Sequence, residues 1–402
     1  MIKTKTENIL KRKPTWAIVK LSDVCEIDPS KRELNGIEKS TTISFGMMAD
    51  LGEHKRSFQP KETKTISELA KGGYSYFKEE DVLLAKMTPC FENGKSGIAE
   101  NLQNGIGFGS TEFYVLRNKG NVVADWIYHI ISSEKFLEEG KHSLVGTTGR
   151  RRLMKQYVET FKIPLPSLSE QKQIAALFQS IETAMEQVEG QEKNLHHLKH
   201  KLLRDLFSEK QVFGNHLKAT DFETVKFEKI AINISERVEP KKTELTTYVG
   251  LEHLDADNLK IERTGTPDDV IGTKLKIYKG DIIFGKRRAY LRKVAVSHFD
   301  GIASAHSMIL RANEKNIEKD FLPYFMQSDT FMSRAVQISE GSLSPTIKNK
   351  TLAVQEFFLP KKEKQKELIA VFKQFDTLME QLKQQRTTLK NLKQKLLNEI
   401  LG

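Results

Sequence analysis

The run PLPSLSEQKQIAALFQSIETAMEQVEGQEKNLHHLKHKLLRDLF, residues 164–207, returns without a gap as FLPKKEKQKELIAVFKQFDTLMEQLKQQRTTLKNLKQKLLNEIL, residues 358–401. Pro166 aligns with Pro360, Gln171 with Gln365 and Phe178 with Phe372. Met185-Glu186-Gln187 repeats as Met379-Glu380-Gln381, and Lys201-Leu202-Leu203 as Lys395-Leu396-Leu397. Chance does not hold so long a register, so the chain carries an internal duplication. Every seventh position is apolar in both copies: Ile174, Ile181, Val188, Leu195 and Leu202, then Leu368, Phe375, Leu382, Leu389 and Leu396. The companion positions begin apolar (Leu177, Ala184; Val371, Leu378), turn polar at Gln191 and Gln385, and recover at Leu198 and Leu392. An apolar seam of this period on a charged surface asks for a partner helix. Ser167 and Glu170 have the spacing of a capping box. A helix from Ser169 to Phe207 would run roughly 58 Å at about 1.5 Å per residue. Gly190 in its middle costs about 1 kcal/mol relative to Ala and would permit a bend. A second copy of the chain could close the seam, but two helices in one chain meet at high effective concentration, which favours an internal pair.

Outward from the helices, each is preceded by a segment of mixed α/β patterning, and the two segments resemble one another. Val19-Lys20-Leu21 before Asp23-Val24-Cys25 is echoed by Val225-Lys226-Phe227 before Lys229-Ile230-Ala231. The strand-like run Asp81–Lys86 is echoed by Asp281–Lys286, and a second strand ends in Leu-Arg at Leu116-Arg117 and at Leu310-Arg311. A helical stretch follows (Trp126 to Leu137; Phe321 to Ala335), then a Gly-Ser/Thr loop at Gly146 or Gly341. The order predicts an α+β protein with domains at 1–165 and 211–360 and long helices at 166–210 and 361–402.

The 402 residues carry 64 Lys+Arg against 53 Asp+Glu, a net charge of +11. That surplus suits a polyanionic partner through counterion release, although a soluble basic protein would show it too. No apolar run is long enough to span a membrane, and the basic N-terminus lacks the apolar core and cleavage site of a secretory signal. Cys25 and Cys90 are the only cysteines, which excludes a disulfide scaffold or a cysteine-rich zinc module and predicts a cytoplasmic protein.

The phrase GTTGRRRLMKQYVETFKIPLPSLSEQKQIAALF, its second edition GSLSPTIKNKTLAVQEFFLPKKEKQKELIAVF, the Gly-Asp-Ile strand and the endings KHKLLRDLF and KQKLLNEIL resemble the specificity subunits of type I restriction–modification systems, from about Trp16 to the end. The resemblance implies two target-recognition domains, each binding half of a split site in double-stranded DNA. It further implies two long helices paired antiparallel as an intramolecular coiled coil, serving as a ruler and as docking surface for two methyltransferase subunits. S-adenosylmethionine would be bound by those subunits, and ATP and Mg by restriction/motor subunits that join through the complex; none would be bound by this chain. The second phrase departs from the first in having one proline, Pro360, where the first has Pro164 and Pro166. Readers on a stiff spacer favour half-sites centred about one helical turn, roughly 10 bp, apart. The competing reading is an autonomous DNA-binding regulator that dimerises through its helices.

Five cations surround one tyrosine in Lys286-Arg287-Arg288-Ala289-Tyr290-Leu291-Arg292-Lys293. Arg forks onto guanine O6/N7, Lys neutralises phosphate, and Tyr stacks or hydrogen-bonds. The equivalent segment of the first domain offers Lys86, Thr88, Asn93 and Lys95. The loop Gly146-Thr147-Thr148-Gly149-Arg150-Arg151-Arg152 joins glycine-exposed N–H groups to fixed cations, as phosphate contact requires; its counterpart offers Ser342, Ser344, Thr346 and Lys348. Lys199, Lys201, Lys390, Lys393 and Lys395 read as solubilising helix surface.

No catalytic constellation is legible. Asn93-Gly94-Lys95-Ser96 has Pro89 where a phosphate-binding loop needs its first glycine. Gly105, Gly107 and Gly109 lack dinucleotide-site spacing. The Asn/Asp-Pro-Pro-aromatic tetrapeptide that grips a flipped adenine is absent. His196, His197 and His200 have no glutamate between them and no counterpart in the second copy, so they predict a solvated helix face and no metal site.

Overall fold

Each repeat begins as a strand before it becomes a helix. In the computed structural model, which describes residues 16–69, 72–147, 149–207 and 217–401, Lys162–Leu165 pairs antiparallel with Ala17–Lys20, Ala17 facing Leu165. Glu356–Pro360 pairs in the same way with Phe222–Lys226, Phe222 facing Pro360. The strand that opens each globule is thus clamped to the strand that leaves it for a long helix. The chain divides into two compact units, Met1–Val188 with Gln385–Gly402, and Glu189–Gln384. Each unit holds one globule and part of both long helices.

The first globule stacks two sheets. One has the order Cys25–Ile27, Phe113–Asn118, Val82–Ala85, Ser96–Ala99, Ser57–Phe58; the other runs Glu62–Thr65, Thr42–Gly46, Ile106–Gly109, Ser75–Lys78. The second globule repeats the plan with Ala231–Ile234, Met308–Ala312, Ile282–Phe284, Val294–Val296 and with Arg237–Val238, Lys274–Ile277, Gly301–Ala303, Tyr248–Val249. The central strand Val82–Ala85 is buried throughout, as its unbroken apolar run requires.

Both globules use the same ion pair on a buried aspartate. The register that sets Val82 opposite Leu116 brings Asp81 to Arg117, whose guanidinium donates to both carboxylate oxygens at 2.9 and 2.6 Å. In the second globule Ile282 faces Leu310, and Arg311 forks onto Asp281 at 2.7 and 3.0 Å. Each aspartate also accepts the amide three residues upstream, Lys78 or Tyr278. The repeated Leu-Arg and the repeated aspartate are two ends of one contact.

Each expected helical stretch after the Leu-Arg strand is in fact two helices. Ala124–Ile131 stops and Glu134–Lys141 restarts where Ser133 Oγ accepts the Phe136 N–H; Phe321–Gln327 and Asp329–Gln337 break where Ser328 accepts from Phe331. Serine is a strong N-cap and ends the preceding turn by starting a new one.

The first long helix is Leu168–Leu206, continuous through Gly190, and the second is Lys362–Leu401. The capping box forms: the Glu170 N–H donates to Ser167 Oγ at 3.3 Å, and its carboxylate accepts the Ser167 N–H at 3.0 Å. Gln171, fully buried, donates to the Pro166 carbonyl at 2.9 Å and accepts the Val123 N–H at 2.9 Å. Its repeat Gln365 donates to the Pro360 carbonyl at 2.8 Å and accepts the Glu318 N–H at 2.8 Å. Conserved spacing from proline to glutamine therefore pins each helix start to its own globule.

The helices form an antiparallel intramolecular coiled coil. From Glu182 to Lys199 the first helix advances 17 residues while the ion-paired partner steps back 17, from Lys393 to Asp376. Ile174, Ile181, Val188 and Leu396 are buried, and Leu195, Leu202, Leu368, Phe375, Leu382 and Leu389 half-buried. Of the companion positions Leu177 is buried and Leu392 packs on the first unit's core, but those of the second unit do not follow: Leu198, Val371 and Leu378 are 52%, 42% and 41% exposed. In that unit the globule competes for the helix face. Lys199, expected at the surface, is 6% exposed, its ammonium on Asp376 at 2.6 Å and 5.4 Å from the Tyr324 ring. Tyr324 stacks on buried Phe372 at 4.9 Å and donates to Asp376 at 2.6 Å. Two partners at different angles shift the buried stripe away from a strict heptad. Among the described residues no helix is long and apolar enough to cross a membrane.

Candidate nucleic-acid interface

The two stretches singled out in each globule are distant in sequence and joined in space. In the first unit the Leu153 N–H donates to the Lys86 carbonyl at 2.8 Å, and the Thr88 N–H to the Arg151 carbonyl at 3.0 Å. In the second unit the Ile347 N–H donates to the Lys286 carbonyl at 3.0 Å, and the Arg288 N–H to the Pro345 carbonyl at 2.8 Å. The chain leaving the central strand is therefore zipped to the glycine loop by the same backbone pattern twice. Gly146 and Gly341 take positive φ, +123° and +105°, where each loop turns.

The side chains on this repeated frame differ. In the first unit Thr88 is buried and its Oγ1 accepts the Arg151 N–H at 3.1 Å. Arg151 pairs with Glu92 at 2.9 Å, and the Arg152 Nε donates to Glu112 at 3.0 Å. Lys86 is half-buried with its ammonium 4.6 Å from the Tyr114 ring, and burial lowers its pKa. Lys95 reaches the Met48 carbonyl at 3.1 Å, and exposed Asn93 donates to Glu53 at 2.9 Å. Thr147 and Arg150 are exposed; Thr148 lies outside the described residues. Thr88, Pro89, Glu92, Gly146, Gly149 and Arg151 line a cleft of about 480 Å³.

In the second unit the basic run splits at a 3-10 turn, Ala289–Leu291, flanked by left-handed Arg288 and Arg292. Before the turn Lys286 and Arg287 are half-buried and Arg288 is exposed. Arg287 donates to Ser344 Oγ at 3.1 Å and lies 3.3 Å from His306 Nε2; Arg288 reaches the same Ser344 Oγ at 3.2 Å. Tyr290 is half exposed. After the turn the cations face inward: Arg292 donates to Asp257 at 2.7 Å, Asp329 at 2.9 Å and the Gln327 carbonyl at 2.5 Å, and Lys293 to the Leu251 carbonyl at 2.6 Å. Arg292 and Lys293 thus hold the hairpin in shape, and two of the expected five cations, Arg287 and Arg288, reach the loop and bond groups that carry no negative charge. Lys348 pairs with Glu340 at 2.6 Å, Thr346 donates to the Ser344 carbonyl at 3.1 Å, and Ser342 is exposed.

Sequence reading missed three members of this patch. Burial and the nearby charges of Arg287, Lys286 and Lys274 hold the His306 imidazole below its ordinary pKa. Burial, then the charge of Arg237, lowers that of Lys286. Arg237, Lys274 and His306 come from separate strands and loops, and no local pattern marks them. Away from the patch, the His196 and His200 rings lie 4.6 Å apart, with His200 Nε2 3.6 Å from Asp257.

The family model of the type I restriction modification DNA specificity domain matches residues 13–197 and 220–391, once per repeat. The chain is 30% identical over 177 residues to the type I restriction enzyme EcoAI specificity subunit of Escherichia coli, covering 44% of this chain but 29% of that protein's length. It is 23% identical over 311 residues to the MjaVIII specificity subunit of Methanocaldococcus jannaschii, 73% of each. A chain solved in work on complex assembly and conformational transition of the type I R-M system aligns with TM-score 0.63 and 18% identity, over 96% of this chain and 97% of its own.

Proposed function

The chain belongs to the type I restriction–modification DNA specificity family, and from that premise we propose that it is the non-catalytic reader of a bipartite DNA site. The observation that carries the reading is the backbone zipper between the basic segment and the glycine loop, made twice with different side chains. A shared frame with divergent tips is what two readers of different half-sites need, because phosphate contacts position a protein while base contacts specify. The paired helices hold an unread spacer between the half-sites and offer docking surface to two methyltransferase subunits, through which restriction/motor subunits join. Those partners bring S-adenosylmethionine, ATP and Mg, and the assembly works in the cytoplasm.

The test is to co-express the chain with a methyltransferase gene from its own locus and map modified adenines in the host DNA. A split motif with a fixed gap is the expected result. A short continuous motif would mean that one globule alone reads DNA. A stable complex without methylation would favour an autonomous regulator.

A further inference from the structure

Leu343 is 91% exposed, at the tip of a short hairpin whose base is closed by Glu340 and Thr346 donating to each other's carbonyls at 3.1 and 2.9 Å. The next residue, Ser344, is held by both Arg287 and Arg288. The hairpin is therefore rigid at its base and carries cations on one flank. Its tip presents an aliphatic side chain between two serines. A lone exposed leucine is ordinary, but one raised on a pinned loop inside a cationic patch is not placed to be merely tolerated. The arrangement is that of an apolar wedge, in which flanking cations hold the phosphates while the side chain enters a base step and unstacks it. Resting on the DNA-reading function above, we propose that Leu343 inserts into the duplex at the half-site held by the second unit. The corresponding loop of the first unit, Gly146-Thr147-Thr148-Gly149, has no large apolar residue, so the distortion is confined to one half of the site.

The experiment uses the full chain assembled with its methyltransferase subunits and a duplex of the mapped motif, with 2-aminopurine replacing each purine of the second half-site in turn. Wild type and Leu343→Met should raise the fluorescence at one step. Leu343→Ser should abolish that rise and weaken binding about tenfold, with the salt dependence unchanged because no charge is lost. Unaltered fluorescence and affinity in Leu343→Ser, with binding weakened by Arg287→Ala/Arg288→Ala, would remove the wedge and leave the reader intact. If the arginine double variant also binds as wild type, the DNA-reading assignment of this patch falls and the wedge with it. If Leu343→Ser instead sheds the methyltransferase subunits, Leu343 is a protein contact and the wedge is overturned.

Discussion

Removing Arg287 and Arg288 should change the salt dependence of DNA binding, and removing Arg151 and Arg152 should hardly do so. Among the described residues Arg287 and Arg288 bond to His306 and Ser344, which carry no negative charge to cancel theirs. Arg151 and Arg152 already face Glu92 and Glu112. A cation that neutralises a phosphate contributes about −0.9 to the slope of log K against log salt. Arg287→Ala/Arg288→Ala should therefore flatten the slope by about 1.8. Between about 50 and 200 mM salt, wild type then loses roughly twelvefold more affinity than the variant. Arg151→Ala/Arg152→Ala should alter the slope by well under one, since each arginine is already neutralised by its glutamate and displaces little counterion from a phosphate. Conversely, Glu112→Gln frees Arg152 and should steepen the slope by about 0.9. Fluorescence anisotropy on a duplex of the full site, titrated at several salt concentrations, reads all three. Equal slopes for wild type and Arg287→Ala/Arg288→Ala, or equal flattening by the two double variants, would refute the reasoning.

His129 is fully buried beside Phe178, at 4.4 Å between ring centroids, and burial with the nearby charges of Lys393 and Arg56 holds its pKa well below the usual value. The unfolded chain takes up that proton near pH 6.5, so stability is present above that pH and falls below it, by up to about 1.4 kcal/mol per pH unit. Melting curves from pH 7 to 5 should show a shallower decline for His129→Leu, and parallel declines would contradict the assignment. Asp81→Ala removes one of the two carboxylates on the Arg117 guanidinium, leaving Glu33, and takes the acceptor from the Lys78 N–H, so it should cost about 2 kcal/mol, measured by urea unfolding. Asp281→Ala should cost less because Arg311 is 46% exposed and regains water; the reverse order would be inconsistent with the burial argument. Gln171→Leu leaves the Val123 N–H and the Pro166 carbonyl unpaired and should destabilise by about 3 kcal/mol, whereas a neutral effect would show that the helix start is pinned by packing alone.

The helices were legible because their signal is periodic and local: a capping box at Ser167, an apolar residue every seventh position and a gapless repeat. The globules were legible as paired marks, Asp81 with Asp281 and Arg117 with Arg311, but not as the contact joining each pair, since sheet register is set by residues far apart in sequence. The same limit explains the candidate site. Lys286 to Lys293 is one run in sequence, and the left-handed turn at Arg288 and Arg292 sends its halves in opposite directions. Composition cannot tell an arginine that bonds uncharged groups from one that braces a hairpin, because what separates Arg287 from Arg292 is Asp257 and Asp329, contributed from elsewhere in the chain. The exposed Leu198, Val371 and Leu378 fail the heptad for a similar reason: a globule face bearing Tyr324 competes with the partner helix for the same stripe.

What the duplication preserved and what it released follow one physical division. The preserved contacts are polar and most rest on a buried side chain: buried aspartate to arginine across two strands, buried glutamine to the carbonyl of the proline before it, and the amide zipper under each tip. Losing the glutamine or the aspartate side chain leaves backbone groups without their partners, at about 1–3 kcal/mol per group, while the main-chain zipper does not depend on which side chains the tip carries. The released positions are exposed, and substitution there costs the fold little. Glu92 and Glu112 cancel cations in one unit, while Ser344 merely orients them in the other. A frame fixed by hydrogen bonds and tips free to vary in charge let one architecture present two different surfaces in a single chain.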